Sequence, residues 1–174
     1  MTSTPRPGTE VIDAPFSVRD LRNVLGIYPT GVTVITTQGV SEPYGMTANS
    51  FTGVSFDPPL VLVCAMSQEQ GAAIISANGH FAVNVLTSEQ EAISRFFASR
   101  KRPRGQDAFA EIAHRRLVTG APIIDGVAAY LDCSLVAEYE AGDHMILIGE
   151  VLALGAEPAA SSPLLYFGGS YRTL

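Results

Sequence analysis

Two apolar runs near the end of the chain, VAAYLDCSLVAEYEAG (127–142) and HMILIGEVLAL (His144–Leu154), limit most strongly what this sequence can fold into. In the first, Val127, Ala129, Leu131, Cys133 and Leu135 recur at every second position, with Tyr130, Asp132 and Ser134 between them. A period of two puts alternate side chains on opposite faces of a β-strand. The short EAGD segment between the runs predicts a hairpin turn, so the two long strands should lie antiparallel.

The rest of the chain follows suit. GVTVITTQ (Gly31–Gln38) is dominated by β-branched residues, with Val32, Val34 and Thr36 alternating with Thr33, Ile35 and Thr37; this composition predicts a strand. PLVLVCAM (Pro59–Met66) is a continuous apolar run that suits a strand covered on both faces. HFAVNVL (His80–Leu86) predicts another strand, and PLLYFGGSYRTL closes the chain with a short strand or hairpin.

Three short helices intervene. FSVRDLRNVLGIYP has Ser17 as a cap, Asp20 in the first turn, a stripe of Val18, Leu21, Val24 and Leu25, and Pro29 as its stop. QEQGAAIISAN is capped by Ser67 and closed by Asn78-Gly79, and TSEQEAISRFFASR by Ser88 with Glu91 three residues on. About six to eight strands and three helices without βαβ alternation predict a mainly β fold, a closed antiparallel barrel with peripheral helices. Residues 1–15 read as a flexible tail and 16–174 as one domain.

Composition narrows the function classes. The chain is 47% hydrophobic and 16% charged, with a net charge of −6, which argues against nucleic acid as the main partner. No apolar run approaches the roughly 18 residues of a membrane span, and the N-terminus lacks a signal-peptide core, so a cytoplasmic location is expected. His80, His114 and His144 are too scattered for a metal motif. Cys64 and Cys133 lie in apolar runs and are expected reduced and buried. Neither GxxxxGK[ST] nor GxGxxG occurs, which removes P-loop and Rossmann modes of nucleotide binding.

Two features remain unexplained by folding alone. Seven of the eleven basic residues fall between Arg95 and Arg116, densest in SRKRPRGQD (Ser99–Asp107). Such a run is either a solvated loop or an anchor for the phosphates of a nucleotide cofactor, with Arg100 the candidate. The second is GMTANSFTGVSFDPP (Gly45–Pro59), where Thr47, Asn49, Ser50, Thr52 and Ser55 form an uncharged hydrogen-bonding row between apolar strands. Threonines there could simply face solvent, but an Asn inside a strand needs a partner. Small neutral donors suit the carbonyl-edged, flat ring system of a flavin, and Gly45 and Ala48 would leave room for it.

YPTGVTVITT, GMTANSFTGVSFDPPLVLVCAMS, GHFAVNVL, AGDHMILIGEV and PLLYFGGSY occur in this order, from about Phe16 to Leu174. Together they resemble the flavin reductase family with the FMN-binding split barrel, the small reductase component of two-component flavin-dependent monooxygenases. The resemblance implies a split β-barrel enzyme that reduces FMN or FAD with NADH or NADPH and passes the reduced flavin to a separate monooxygenase. It also implies a homodimer. By position, it places Thr30, Met46, Thr47, Ala48, Asn49 and Ser50 along the flavin. Cys64, Ala65 and Ser67 should follow the ring edge and ribityl phosphate, Phe81 and Ala82 should complete the wall, His144 should face the nicotinamide, and Tyr171 should close the pocket. Two other readings stay open: a split-barrel flavoenzyme with tightly bound FMN acting on an organic substrate, and a non-catalytic flavin-binding module.

Overall fold

Twelve strands and three α-helices make up the computed structural model, which describes residues 15–40, 42–157 and 162–174. All but Pro15 of the expected N-terminal tail lies outside the described residues. In chain order the elements are α1 (Val18–Leu25), β1 (Thr30–Gly31), β2 (Thr33–Gln38), β3 (Pro43–Ala48), β4 (Thr52–Phe56), β5 (Pro59–Met66), α2 (Gln70–Asn78) and β6 (His80–Val85). There follow α3 (Glu91–Ala98), β7 (His114–Arg116), β8 (Pro122–Ile124), β9 (Ala129–Ala141), β10 (His144–Ala156), β11 (Leu165–Phe167) and β12 (Ser170–Arg172). No described helix is long and apolar enough to cross a membrane.

The seven longer strands form one antiparallel sheet in the order β3-β2-β6-β9-β10-β5-β4. The long hairpin β9–β10 is its middle, turning through Gly142 and Asp143; Gly142 supplies the positive φ (62°) such a two-residue turn needs. The expected barrel is therefore present, but its wall is split. β3 and β4 are the two edges of the sheet, and the chain passes directly from one to the other through residues 49–51. Pro43 opens β3, a place an edge strand tolerates because it needs no donor on its outer side.

Apolar cores lie on both sides of β2, which is why all but its last residue is buried. Ile35 points to a cluster with Met46, Val61, Val63, Phe81, Val83, Cys133 and Leu147, capped by Ala72 and Ile75 of α2. Val34 faces the opposite way, to Leu86, Phe97, Phe109, Ile124 and Leu164. By contrast β5 is covered on one face only. Val61, Val63 and Ala65 are buried while Leu62, Cys64 and Met66 are half-exposed, so its expected two-sided burial is not met among the described residues. Its continuous hydrophobicity matches an outer face that the described residues leave partly open.

Two helix starts differ from expectation. α2 begins at Gln70 with Glu69 at the cap position, not at Ser67, which sits in a turn with its N–H donated to the Asp143 carbonyl (3.0 Å). The element before α3 is a 3-10 turn (Ser88–Gln90) capped by Thr87, whose N–H is taken by the Gln90 side chain (3.1 Å). An equally good capping pair thus lies one residue earlier than Ser88 and Glu91. At α1 the expected cap is present: Ser17 accepts from the Asp20 N–H while the Asp20 carboxylate accepts from the Ser17 N–H. No α1 residue is buried.

Candidate functional site at the split in the barrel

Where the β4–β5 ladder ends, a side chain replaces it. β4 pairs with β5 only as far as Thr52 opposite Leu62. Two residues on, Ser50 stands against Cys64: its hydroxyl donates to the Cys64 carbonyl (3.0 Å) and accepts from the Cys64 N–H (3.0 Å). A cleft of about 320 Å³, lined by both clasp residues, lies between β3 and β5.

The cleft brings together eight of the fourteen residues expected in the site: Met46, Thr47, Ala48, Asn49, Ser50, Cys64, Arg100 and His144. β3 and the following turn supply the first five, β5 supplies Cys64, the loop after α3 supplies Arg100, and the first residue of β10 supplies His144. His144 pairs with Met66 in the sheet register, so the tight turn before it fixes the imidazole at the end of β5.

The neutral row differs in detail from what its sequence suggests. The Thr47 hydroxyl donates to the Ser94 carbonyl of α3 (2.7 Å), and the Ala48 carbonyl accepts from the Thr33 hydroxyl (2.7 Å). These groups are spent on holding the wall in place. Asn49 is not a buried strand residue; it sits in the turn after β3, exposed, with its amide donated to the Thr30 hydroxyl (3.2 Å). Thr30 lines an adjoining groove under α1, which Asn49 shares. Gly45 leaves no room for a ring, because a Cβ built there would meet the Phe97 ring at 2.5 Å. Its smallness admits α3 against β3.

Five expected residues lie elsewhere. Phe81 and Ala82 are fully buried, Phe81 in the inner core and Ala82 against Ala121 and Ile123, so neither side chain walls the cleft. Ala65 points into the core, on the buried face of β5. Ser67 is in the exposed turn before α2. Tyr171 lies on the far side of α3, its hydroxyl 2.8 Å from that of Ser94 and its ring under the Arg95 guanidinium. It braces α3 and does not close this cleft within one chain.

Five lining residues escaped the sequence reading: Met66, Glu69, Phe97, Ala98 and Arg102. Arg102 carried a signal, since it belongs to the basic run. It is fixed by bonds to the Ser99 carbonyl (2.7 Å) and the Gly45 carbonyl (2.6 Å), with its guanidinium beside the Tyr44 ring. Among the described residues Arg100 is tied to Glu69 alone (2.8 Å). Phe97 is core packing, as its place on α3 suggests, and also floors the cleft.

The electrostatics are mild. His144 Nδ1 is 2.7 Å from Asp143 Oδ1, and a carboxylate can only accept, so Nδ1 carries the proton and Nε2 is the free nitrogen. That hydrogen bond first, and the His144 charge second, hold the Asp143 carboxyl below its usual range. Burial pushes the Cys64 thiol upward, away from a reactive thiolate. Among the described residues no group of His, Cys, Asp and Glu is arranged to hold a metal. The lining is thus an apolar floor (Met46, Met66, Phe97), a neutral polar edge and two guanidiniums at one end. This donor set fits a planar heteroaromatic ring that carries a phosphate.

A barrel split beside such a cleft defines a flavin-handling class of protein, and comparison with known proteins agrees. The sequence profile of the flavin reductase like domain matches residues 25–174. The chain is 44% identical over 167 residues to an NADH-dependent FAD reductase of Streptomyces globisporus, spanning 95% of this chain and 90% of that protein. It is 40% identical over 161 residues to the reductase subunit HsaB of a flavin-dependent monooxygenase from Mycobacterium tuberculosis (92% and 84% covered). Among solved structures, the NADH:FAD oxidoreductase SgcE6 of Streptomyces globisporus superposes with a TM-score of 0.88 at 43% identity, over 97% of this chain and 99% of that one. BorF, the flavin reductase component of a bacterial two-component tryptophan halogenase, gives 0.86 at 39% identity (91% and 98% covered). The chain belongs to the flavin reductase like domain family, and its fold is the split barrel of those reductases.

Proposed function

We propose that this chain is an NAD(P)H:flavin oxidoreductase that reduces FAD or FMN by hydride transfer and supplies the reduced flavin to a separate monooxygenase. The observation that carries this reading is the convergence of Met46–Ser50, Cys64, Arg100 and His144 on one cleft at the split in the barrel. FAD and NADH are the favoured pair, supported by the relative named as an NADH-dependent FAD reductase and by a solved relative in complex with NAD and FAD fragments.

The residues present divide the work. Met46 and Phe97 offer a dry, flat floor, and the Asn49 amide and the backbone of the β3–β4 turn offer neutral partners to ring carbonyls. Arg100 and Arg102 supply positive charge for a phosphate. Flavin, when bound, supplies the redox chemistry, accepting a hydride from the dihydronicotinamide and passing two electrons onward. The protein's part is alignment and exclusion of water. His144, held through Nδ1 by Asp143, keeps Nε2 as an acceptor at the rim, where a nicotinamide carboxamide N–H can be received. No strong acid or base is required, which fits a cleft whose nearest carboxylates are each engaged, Glu69 by Arg100 and Asp143 by the His144 Nδ1–H.

A homodimer in the cytoplasm completes the reading. Val18, Val24 and Leu25 of α1 are each at least 60% exposed, and the outer face of β5 is half-open, an apolar surface that a second copy would cover. Steady-state NADH oxidation with added flavin tests the function. Turnover saturating in free FAD or FMN supports it. Activity that needs an organic acceptor would replace it with a flavoenzyme of tightly bound FMN, and no NADH oxidation would leave a flavin-binding module.

A further inference from the structure

Arg100 and Glu69 meet at the boundary between two clefts. One is the site at the split; the other lies between the start of α2 and the arginine loop and is lined by Tyr44, Gln68, Arg104 and Gly105. Both clefts share Met66, Glu69, Arg100 and Arg102. Arg100 gives Nη2 (2.8 Å) and Nε (3.1 Å) to the same oxygen, Oε1 of Glu69. Glu69 occupies the cap position of α2, yet its side chain makes no bond to the helix N–H groups. The carboxylate is turned away from the helix end and onto the guanidinium.

The two arginines of the cleft are therefore not equivalent. Arg102 is locked to two backbone carbonyls and beside an aromatic ring, so its position does not depend on a ligand. Arg100 is exposed and, among the described residues, held by Glu69 alone. The edge of a guanidinium that grips a carboxylate is the edge that grips a phosphate. An ion pair this exposed is readily broken, so a dianion can displace the carboxylate. The displaced carboxylate then stays beside the phosphate, in the cleft it lines, and repels it.

We propose that Glu69 is a specificity-determining residue: an internal anion that competes with the flavin phosphate for Arg100 and keeps phosphorylated flavin loosely held. The inference rests on the flavin reductase reading. Its consequence suits an enzyme whose product must leave to be used elsewhere. A tight phosphate grip would retain reduced flavin, and Glu69 prevents it without touching the ring. Phosphate-bearing flavins should feel Glu69, and riboflavin, which has the ring and ribityl chain without the phosphate, should not.

The test is a set of titrations by flavin fluorescence of the full chain with FMN, FAD and riboflavin. It compares wild type, Glu69→Gln, Arg100→Gln and the double variant, with circular dichroism to show that each is folded. Glu69→Gln should tighten FMN and FAD about three- to tenfold and leave riboflavin within about twofold. In the Arg100→Gln background the same substitution should give no such gain, because the competition needs both partners. Equal tightening of riboflavin, no change in FMN, or an undiminished gain without Arg100 would each overturn the proposal. Failure of the wild type to bind any of the three flavins would instead overturn the flavin reading itself, and the proposal with it.

Discussion

The hydroxyl of Ser50 lies 3.0 Å from both the N–H and the carbonyl of Cys64, and so closes with one side chain the strand register that the β-ladder leaves open. Both residues line the cleft, so the clasp couples barrel closure to site shape. Ser50→Ala leaves the half-buried Cys64 N–H without its partner. Stability in urea should fall by about 1–2 kcal/mol, the cost of an orphaned backbone donor, and flavin affinity should fall with it. An unchanged urea midpoint would show that solvent replaces the hydroxyl and that the split needs no clasp.

Asn84 does inside the barrel what Ser50 does at its edge. Its amide nitrogen donates to the Val34 carbonyl (3.1 Å) and the Thr36 hydroxyl (3.1 Å), and its oxygen accepts from the Ile124 N–H (2.8 Å), all fully buried. It joins β2, β6 and β8. Asn84→Leu should destabilise the fold by about 3 kcal/mol by stranding several buried polar groups, whereas Thr52→Val on the exposed edge strand should change stability by less than about 0.5 kcal/mol. Denaturant melts of the two variants side by side check this, and equal small losses would remove Asn84 from the framework.

These two residues mark the limit of what the sequence makes legible. Local patterning marked five of the seven main strands (β2, β5, β6, β9 and β10), the β9–β10 hairpin and the α1 cap, because each depends on neighbours within a few residues; β3 and β4 lie around the neutral row, which carries no strand pattern of its own. Residue type also marked most of the cleft wall on β3. What stayed hidden depends on distant pairings. Asn84 sits in an apolar run and reads as an anomaly until β8 is seen across from it. Phe81 and Ala82 read as flavin wall by resemblance, yet β6 buries Phe81 on one face, in the inner core, and Ala82 on the other, against Ala121 and Ile123. Glu69 could not be placed because α2 starts two residues later than its better capping residue suggests. The half-open face of β5 was visible only as excess hydrophobicity.

The two thiols should be slow to react. Burial, then the neighbouring Asp132 charge, pushes the Cys133 thiol up from 9.0 to about 12. A group whose folded value is raised favours its neutral form in the native state. Its contribution to stability is thus full below about pH 9 and is lost as pH rises from there toward 12. Iodoacetamide at neutral pH should leave Cys133 unmodified in native protein and label it after unfolding, as read by mass spectrometry. Rapid native labelling of Cys133 would show that the inner core opens.

The exposed stripe of α1 should decide the oligomeric state. Leu21 and Val24 sit one turn apart on a helix that buries nothing in its own chain. Placing charge there, as Leu21→Glu with Val24→Glu, should split a dimer into folded monomers, because burying an unpaired carboxylate costs more than the apolar contact returns. Light scattering across the micromolar range measures it. A wild-type chain that is already monomeric would assign the stripe to another partner.

His144 is the residue at which positioning and chemistry can be told apart. Its Nδ1 proton is committed to Asp143, which leaves Nε2 as a hydrogen-bond acceptor at the rim of the cleft. An acceptor there can orient a carboxamide N–H without giving up a proton, and hydride transfer to the ring needs none in the same step. His144→Ala should therefore raise KM for NADH by about tenfold and slow flavin reduction, while flavin affinity stays within about twofold. His144→Gln, which restores an acceptor of similar reach, should recover part of the loss. Asp143→Asn should produce a smaller defect of the same kind, by loosening the imidazole. An obligatory acid would behave differently: the reduction step itself would fall by roughly 10²–10⁴ at saturating NADH, and glutamine would not rescue it. Stopped-flow reduction of the flavin separates these outcomes, and wild-type rates in the alanine variant at every NADH concentration would remove His144 from the reaction altogether.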